Sequence, residues 1–127
     1  MSRPLLALTG ISGFLAVALG AFGAHALKAQ FDASQLNLWQ TAVQYHFVHT
    51  LALGFTTLLA TKQPTRLLQT AGVLFGLGIV LFSGSLYALA LTGVRALGAI
   101  TPLGGSLWLV AWLLIAASAC RSPSQPH

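Results

Sequence analysis

Between Arg66 and Arg95 the chain reads LLQTAGVLFGLGIVLFSGSLYALALTGV, residues Leu67–Val94, which is 28 consecutive residues without a charge. A helix needs about 20 residues to cross a hydrocarbon core of roughly 30 Å, so the stretch is long enough to span a bilayer. It shows neither strict alternation of apolar and polar residues nor a hairpin turn pair, which favours a helix over a strand of a membrane barrel. The stretch therefore predicts a membrane-spanning helix.

Three more uncharged stretches of similar length lie on either side: Pro4–Leu27, Ala33–Thr61 and Ala96–Cys120. Of the 127 residues, 56% are hydrophobic and 6% are charged, whereas soluble domains carry roughly 25% charged residues. The sequence predicts an all-α integral membrane four-helix bundle, up-down-up-down, as one domain over residues 1–127. We expect spans at about residues 4–24, 42–60, 67–91 and 101–119, and an interfacial helix at about 32–41 that Asp32 or Ser34 caps and Trp39 anchors.

The six basic residues are scattered singly between the spans, although the formal net charge is +5. We therefore expect the protein to have the lipid bilayer as its partner and to bind no nucleic acid. The basic residues of one side are Arg3, Lys62, Arg66 and Arg121, and those of the other are Lys28 and Arg95. Because positive residues are retained inside, both termini are expected in the cytoplasm.

The N-terminal stretch also has a second interpretation, as a cleaved signal peptide ending at Ala24-His25-Ala26. Its apolar run exceeds the 7–15 residues of an ordinary signal-peptide core, which favours an uncleaved span. The single cysteine, Cys120, excludes an intramolecular disulfide.

Small residues and turn signals predict how the helices pack and where they end. Glycine allows close approach of helices, and the packing positions expected are Gly10, Gly13, Gly20, Gly23, Gly72, Gly76, Gly104 and Gly105. The small-residue content of the first span predicts that it lies at the centre of the bundle. We expect the second span to turn its more polar face toward the other helices, and that face consists of Ala42, His46, His49, Leu53, Thr56 and Ala60. We expect Gly93 to end the third helix and Thr101 to cap the fourth, with Pro102 first inside it.

The topology brings a set of polar residues toward one half of the membrane, the outer half if the termini are cytoplasmic. The members of this candidate site are His25, His46, His49, Ser83, Ser85, Tyr87, Arg95 and Asp32. Ionisable groups at membrane depth mark a functional site or a paired network. The favoured interpretation is a structural network, and the alternatives are a metal site, haem ligation, or proton or quinone chemistry. No carboxylate lies in any predicted span, which argues against proton or quinone chemistry. No nucleophilic triad is readable from the spacing, so catalysis is not expected.

Four motifs resemble a widespread family of small four-span membrane proteins of unknown function: Gly20–Leu27 (GAFGAHAL), Val43–His49 (VQYHFVH), Leu81–Tyr87 (LFSGSLY) and Thr101–Gly105 (TPLGG). The resemblance implies a bacterial inner-membrane protein, and it brings no activity, substrate or cofactor. It also implies signature positions at His25 and His49, whereas glutamine can replace His46. The better candidates for a metal or other ligand are then His25 and His49.

Together these features predict a non-catalytic structural or accessory membrane protein without a cofactor, which packs with itself or in a larger membrane complex. The alternative is a protein that binds a metal, haem or a quinone at His25 and His49.

Overall fold

The structure is a computed structural model that describes residues 2–120, with the side chains of residues 3–120. Within this range the chain forms four helices and no strand, which confirms the predicted all-α bundle. The helices are α1 (Ser2–Phe22, continued by a π-helical turn at Gly23–Leu27), α2 (Ala33–Lys62), α3 (Arg66–Gly78, a π-helical turn at Ile79–Ser83, then Gly84–Thr92) and α4 (Thr101–Ala119, after a 3₁₀ turn at Arg95–Ala99).

Neighbouring helices run antiparallel. A Cβ placed on Gly13 would lie 3.7 Å from Thr50, and one placed on Gly20 would lie 3.2 Å from Val43, so residue numbers fall along α2 as they rise along α1. In the same sense, Gln35 at the start of α2 bonds to the carbonyl of Ala90 near the end of α3. The bundle is therefore up-down-up.

The fourth helix completes the alternation. Gly104, at the start of α4, packs against the backbone of Phe82, and Trp108 one turn later donates to the carbonyl of Phe75. Residue numbers thus fall along α3 as they rise along α4. The order is up-down-up-down, as the sequence predicts.

The inner helices are α2 and α3, each of which packs against two neighbours, and the prediction that the first span lies at the centre is wrong. All six residues of the predicted inner face of α2 are buried, which confirms that face. In contrast, α1 packs Gly13 and Gly20 against α2 and leaves Leu6, Ile11, Phe14 and Val17 exposed. Small residues allow one close interface, and that interface does not require burial of the rest of the helix.

The segment at residues 32–41 does not form a separate interfacial helix, because α2 is continuous from Ala33. The Asp32 carboxylate accepts the backbone N–H of Gln35 at 2.7 Å, and the Gln35 side chain accepts the Asp32 N–H at 3.0 Å, which forms a capping box. The predicted anchor role of Trp39 is wrong. Its side chain is 3% exposed and packs inside the bundle.

Both π-helical turns begin where a tryptophan lies over a glycine. Trp39 covers Gly23 and donates its indole N–H to the carbonyl of Leu19 at 2.9 Å, while Trp108 covers Gly78 and donates to Phe75 at 3.1 Å. A wide turn leaves helix carbonyls less completely bonded, so an indole donor is well placed there. The tryptophans therefore connect neighbouring helices at these two turns.

The third helix ends as predicted, and the fourth begins differently. Gly93 adopts φ +72° as the C-cap, a conformation that glycine adopts without strain. The prediction that Thr101 caps α4 is wrong, because Ile100 occupies the N-cap position and Thr101 is already helical. The Thr101 hydroxyl instead bonds to the hydroxyl of Ser85 on α3.

Three helical stretches within residues 2–120 are long and apolar enough to cross a membrane: Arg3–Leu27, Arg66–Thr92 and Arg95–Ala119. The helix α2 is less apolar because Gln40, Gln44, His46 and His49 lie along it. The candidate site is built around two of them, His46 and His49.

Candidate functional site

The side chain of His49 lies in an aromatic enclosure between α2, α3 and α4. Its ring stacks on Trp108 with the centroids 3.6 Å apart and the planes 1° apart, and Phe75 and Trp112 pack around it at 6.0 and 6.1 Å. Only 5% of the residue is exposed. The enclosure forms because α2 turns His49 toward α4, where Trp108 and Trp112 share one face at a spacing of four residues.

Both ring nitrogens of His49 are bonded, and the partners determine its tautomer. The Nδ1 atom lies 2.9 Å from the carbonyl oxygen of Tyr45, which can only accept. The Nε2 atom lies 3.3 Å from the indole N–H of Trp112, which can only donate. Neutral His49 with the proton on Nδ1 satisfies both contacts. The lone pair that a metal would require is used by Trp112.

His46 belongs to a second network, which we call the hydroxyl–imidazole chain and which joins Tyr87, His46, Ser12 and Thr50. The Tyr87 hydroxyl lies 2.9 Å from His46 Nδ1, and the Ser12 hydroxyl lies 3.1 Å from His46 Nε2. Ser12 is also bonded to the Thr50 hydroxyl at 2.6 Å. The chain therefore connects α1, α2 and α3 near the midpoint of α2.

Ser83 and Ser85 bond to backbone and to other helices and do not join either histidine network. Ser83 is fully buried and donates to the carbonyl of Ala42 on α2 at 2.8 Å. Ser85 donates to the carbonyl of Phe82 and bonds to Thr101 on α4. Each serine thus connects α3 to a neighbouring helix.

His25, Asp32 and Arg95 lie near helix ends and are exposed. Gly23, two residues before His25, packs under Trp39, whereas His49 lies ten residues further along α2, which is about 15 Å of helix. The structure therefore does not bring His25 and His49 together. Asp32 caps α2, as described above.

The arrangement as a whole contains hydrogen-bond donors and acceptors that satisfy each other. Every buried side-chain nitrogen and oxygen within the described residues has a hydrogen-bond partner. No group of three or more His, Cys, Asp or Glu side chains that could hold a metal ion occurs in this same part of the chain. The geometry can fix the register of the helices.

The sequence did not single out Ser12 and Thr50 as members of the site. The sequence signal for them was weak, because a serine in a glycine-rich span and a threonine on an apolar helix are each explained by ordinary helix packing. Only the antiparallel alignment of α1 and α2 places both hydroxyls beside His46.

The predicted packing glycines divide into two groups. A Cβ would meet a neighbouring helix within 4 Å at six of them: Gly13, Gly20, Gly23, Gly72, Gly104 and Gly105. At Gly10 and Gly76 a Cβ would meet nothing within 4 Å. These two positions offer sites for added side chains that do not disturb the described bundle.

Comparison with known proteins agrees with the resemblance seen in the sequence. Residues 19–105 match the family described as "Protein of unknown function (DUF423)". The chain is 46% identical over 120 residues to the UPF0382 membrane protein YwdK of Bacillus subtilis strain 168, which covers 94% of this chain and 98% of the relative. It is 41% identical over 120 residues to the UPF0382 inner membrane protein YgdD of Escherichia coli strain K12, with coverage of 94% and 92%.

No solved structure matches the chain. The names of the two relatives describe membrane proteins and assign no catalytic activity. The predicted family is confirmed, and the chain belongs to the DUF423, or UPF0382, family of membrane proteins of unknown function.

Proposed function

We propose that this protein is a non-catalytic accessory component of the bacterial inner membrane, in which the histidines of α2 hold four membrane-spanning helices in register. The observation that carries the proposal is the complete bonding of both histidine rings. His49 uses both nitrogens within the bundle, and His46 uses both in the hydroxyl–imidazole chain. A catalytic or metal-binding imidazole needs a nitrogen that is available to its substrate or ion.

The same networks support a membrane-spanning position for α2, in addition to the three apolar helices. Its polar side chains would be costly in lipid, but His46 and His49 are buried and bonded to the other helices. The 30 residues of α2 make it about 45 Å long, which exceeds the hydrocarbon core of roughly 30 Å.

The charges at the helix ends support cytoplasmic termini. In the up-down-up-down order, Arg3, Lys62 and Arg66 lie at one end of the bundle, and Lys28 and Arg95 at the other. Arg121, which the sequence analysis assigns to the first group, lies outside the described residues. Basic residues concentrate on the cytoplasmic side, so this asymmetry supports a cytoplasmic start of α1.

Cys120 provides a direct test of this orientation because it is the single cysteine and is exposed at the end of α4. A membrane-impermeant maleimide should label Cys120 only after the inner membrane is broken. In a Cys120→Ser background, the exposed Ala96→Cys beside Arg95 should react in cells whose inner membrane is intact. The reverse pattern would contradict the orientation.

A partner is also part of the proposal, either a second copy or a larger membrane complex. The outer face of α1 is exposed and apolar, and Gly10 leaves open space at its surface. Such a face would be covered by lipid or by another helix. Crosslinking in native membranes, followed by mass determination of the products, distinguishes these occupants.

The proposed function is tested by comparing His49→Ala with the exposed control His25→Ala. His49→Ala should lower the free energy of unfolding by about 2 kcal/mol, because two hydrogen bonds and the stack on Trp108 are lost. His25→Ala should leave it unchanged. Tag-free protein in mild detergent is analysed for metals and for visible absorption at the same time. A stoichiometric metal or a haem band that disappears in His49→Ala would overturn the proposal.

A further inference from the structure

An open groove of about 330 Å³ runs between α1 and α3, with α2 as its floor. We call it the α1–α3 groove. Its walls are mostly aliphatic, as Leu8 and Leu15 on α1 and Ile79 on α3 illustrate. Ile11 and Val80 also line it and are 58% and 66% exposed, so the groove opens on the outer surface of the bundle. In a membrane that surface faces lipid.

Polar side chains interrupt this apolar lining at one level. Ser12, His46 and Tyr87 line the groove, and all three belong to the hydroxyl–imidazole chain. An apolar pocket of 300–1,000 Å³ with a few convergent polar groups is the usual form of a small-molecule site. The lining therefore suits a mainly apolar molecule that carries one hydrogen-bonding group.

A count of hydrogens shows what the chain can offer to such a molecule. With His46 neutral, the four residues of the hydroxyl–imidazole chain carry four polar hydrogens. Three hydrogen bonds join these residues within the described part of the protein. When all three bonds run in one direction, the fourth hydrogen is left at an end, on Thr50 or on Tyr87. Of these two ends, Tyr87 lines the groove.

The hydrogen bonds of the hydroxyl–imidazole chain can all reverse direction without loss of a bond, because each of its residues can donate or accept. In one direction His46 donates to Tyr87, and the Tyr87 O–H is free to donate to a carbonyl in the groove. In the other direction Tyr87 donates to His46, and its oxygen is free to accept from a ligand hydroxyl. Tyr87 thus suits both a carbonyl and the hydroxyl formed when that carbonyl is reduced.

The depth of the hydroxyl–imidazole chain in the membrane distinguishes two possible sources of a ligand carbonyl. His46 lies near the midpoint of the helix Ala33–Lys62, and therefore near the middle of a bilayer that α2 spans. The ester carbonyls of phospholipids lie at the edge of the hydrocarbon core, about 15 Å from its centre. A ring carbonyl on a molecule dissolved in the core can reach the chain, whereas an ester carbonyl cannot.

We propose that the α1–α3 groove binds a lipid-soluble quinone, with a ring carbonyl or the corresponding quinol hydroxyl on Tyr87 and the apolar tail along α1. The proposal uses Ser12, His46 and Tyr87, and it does not use His25 or His49. It goes beyond the proposed function and rests on one part of it, the bilayer-spanning position of α2. A structural component of the membrane can also bind a membrane molecule.

The test uses a benzoquinone with a decyl tail and the full chain in phospholipid nanodiscs. Quinones quench tryptophan fluorescence at short range, and the Trp39 ring lies 4.7 Å from the ring of Tyr87. Wild-type protein should show saturable quenching. Tyr87→Phe keeps the shape of the groove and removes the hydroxyl, so its Kd should be about fivefold higher.

Two glycines provide a matched pair for occupancy of the groove. A Cβ at Gly76, which lines the groove, and one at Gly10, which does not, would each meet nothing within 4 Å. Gly76→Leu should fill the groove and raise the Kd at least tenfold, whereas Gly10→Leu should leave it unchanged. Circular dichroism verifies that each variant is folded. If Gly76→Leu fails to fold, Val80→Trp at the exposed mouth replaces it.

Three results would overturn the proposal. The first is quenching that does not saturate, and the second is a Kd that Gly76→Leu and Tyr87→Phe leave unchanged. The third is displacement of the quinone by methyl decanoate at equal concentration, which would show that the groove recognises only an apolar tail or an ester. None of these results bears on metal or haem content, so failure here is distinguishable from failure of the proposed function.

Discussion

Two neighbouring glycines at the start of α4 should respond very differently to the same substitution. A Cβ on Gly104 would meet the backbone nitrogen of Phe82 and would lie 2.9 Å from both Leu81 C and Phe82 Cα. A Cβ on Gly105 would lie 3.7 Å from the Phe82 ring, which is an ordinary contact. Gly104→Ala therefore forces α4 away from α3, and Gly105→Ala does not.

The magnitude follows from two opposing effects. Overpacking costs about 1–3 kcal/mol, and here the obstructing atoms are backbone atoms that cannot rotate away. Replacing glycine by alanine inside a helix contributes roughly 0.5–1 kcal/mol of stability. Gly104→Ala should thus destabilise the bundle by up to about 2.5 kcal/mol, whereas Gly105→Ala should be neutral or slightly stabilising. The difference between the two variants isolates the steric cost.

The measurement is reversible unfolding by sodium dodecyl sulfate in mixed micelles, followed by far-ultraviolet circular dichroism. Both variants are compared with wild type at equal detergent composition. Equal unfolding free energies for Gly104→Ala and Gly105→Ala would refute the close approach of α3 and α4 that this reasoning requires.

Three further substitutions test local features by the same unfolding measurement. Asp32→Ala removes the cap of α2 and should cost about 1 kcal/mol, whereas Ser34→Ala, two residues later, should cost nothing measurable, and equal losses would argue against the cap. Trp39→Phe removes the donor to the Leu19 carbonyl and should cost about 1 kcal/mol or more, so an unchanged stability would contradict that bond. Gly93→Ala places a Cβ at φ +72° and should cost about 1 kcal/mol, and a gain in stability would show a different helix end.

Much of the fold was predictable because lipid imposes simple rules on sequence. The lengths of the uncharged stretches predicted four helices, since backbone groups in lipid must bond internally. The inner face of α2 was predictable from the spacing of His46, His49, Leu53 and their neighbours, and the structure buries it. The end of α3 at Gly93 was predictable because glycine is common just past the end of a helix, and Gly93 is its C-cap.

The position of α1 and the role of Trp39 were not predictable in the same way. Glycines mark a close contact but do not show how many sides of a helix are covered, so α1 looked central. Trp39 looked like an interfacial anchor because polar residues flank it, and its partner is a glycine on another helix. Contacts between distant segments leave no local signal in one sequence.

The candidate site was predictable as a set of residues but not as a set of contacts. His46 and Tyr87 were recognised, yet their pairing depends on how α3 continues through its π-helical turn at Ile79–Ser83. Ser12 became visible only when α1 was aligned with α2. His25 and His49 were grouped by the resemblance to the family, and the fold places them at different depths.

The protonation of His49 is the most direct test of the proposed structural role, because that role requires both ring nitrogens to be bonded inside the bundle. Nitrogen-15 magnetic resonance of histidine-labelled protein in lipid bilayers reports the state of each ring nitrogen, and a His49→Gln variant assigns the signals. The expected result is a neutral ring with the proton on Nδ1 and a bare Nε2 that accepts from Trp112. A proton on Nε2, a doubly protonated ring or a metal-bound nitrogen would contradict it.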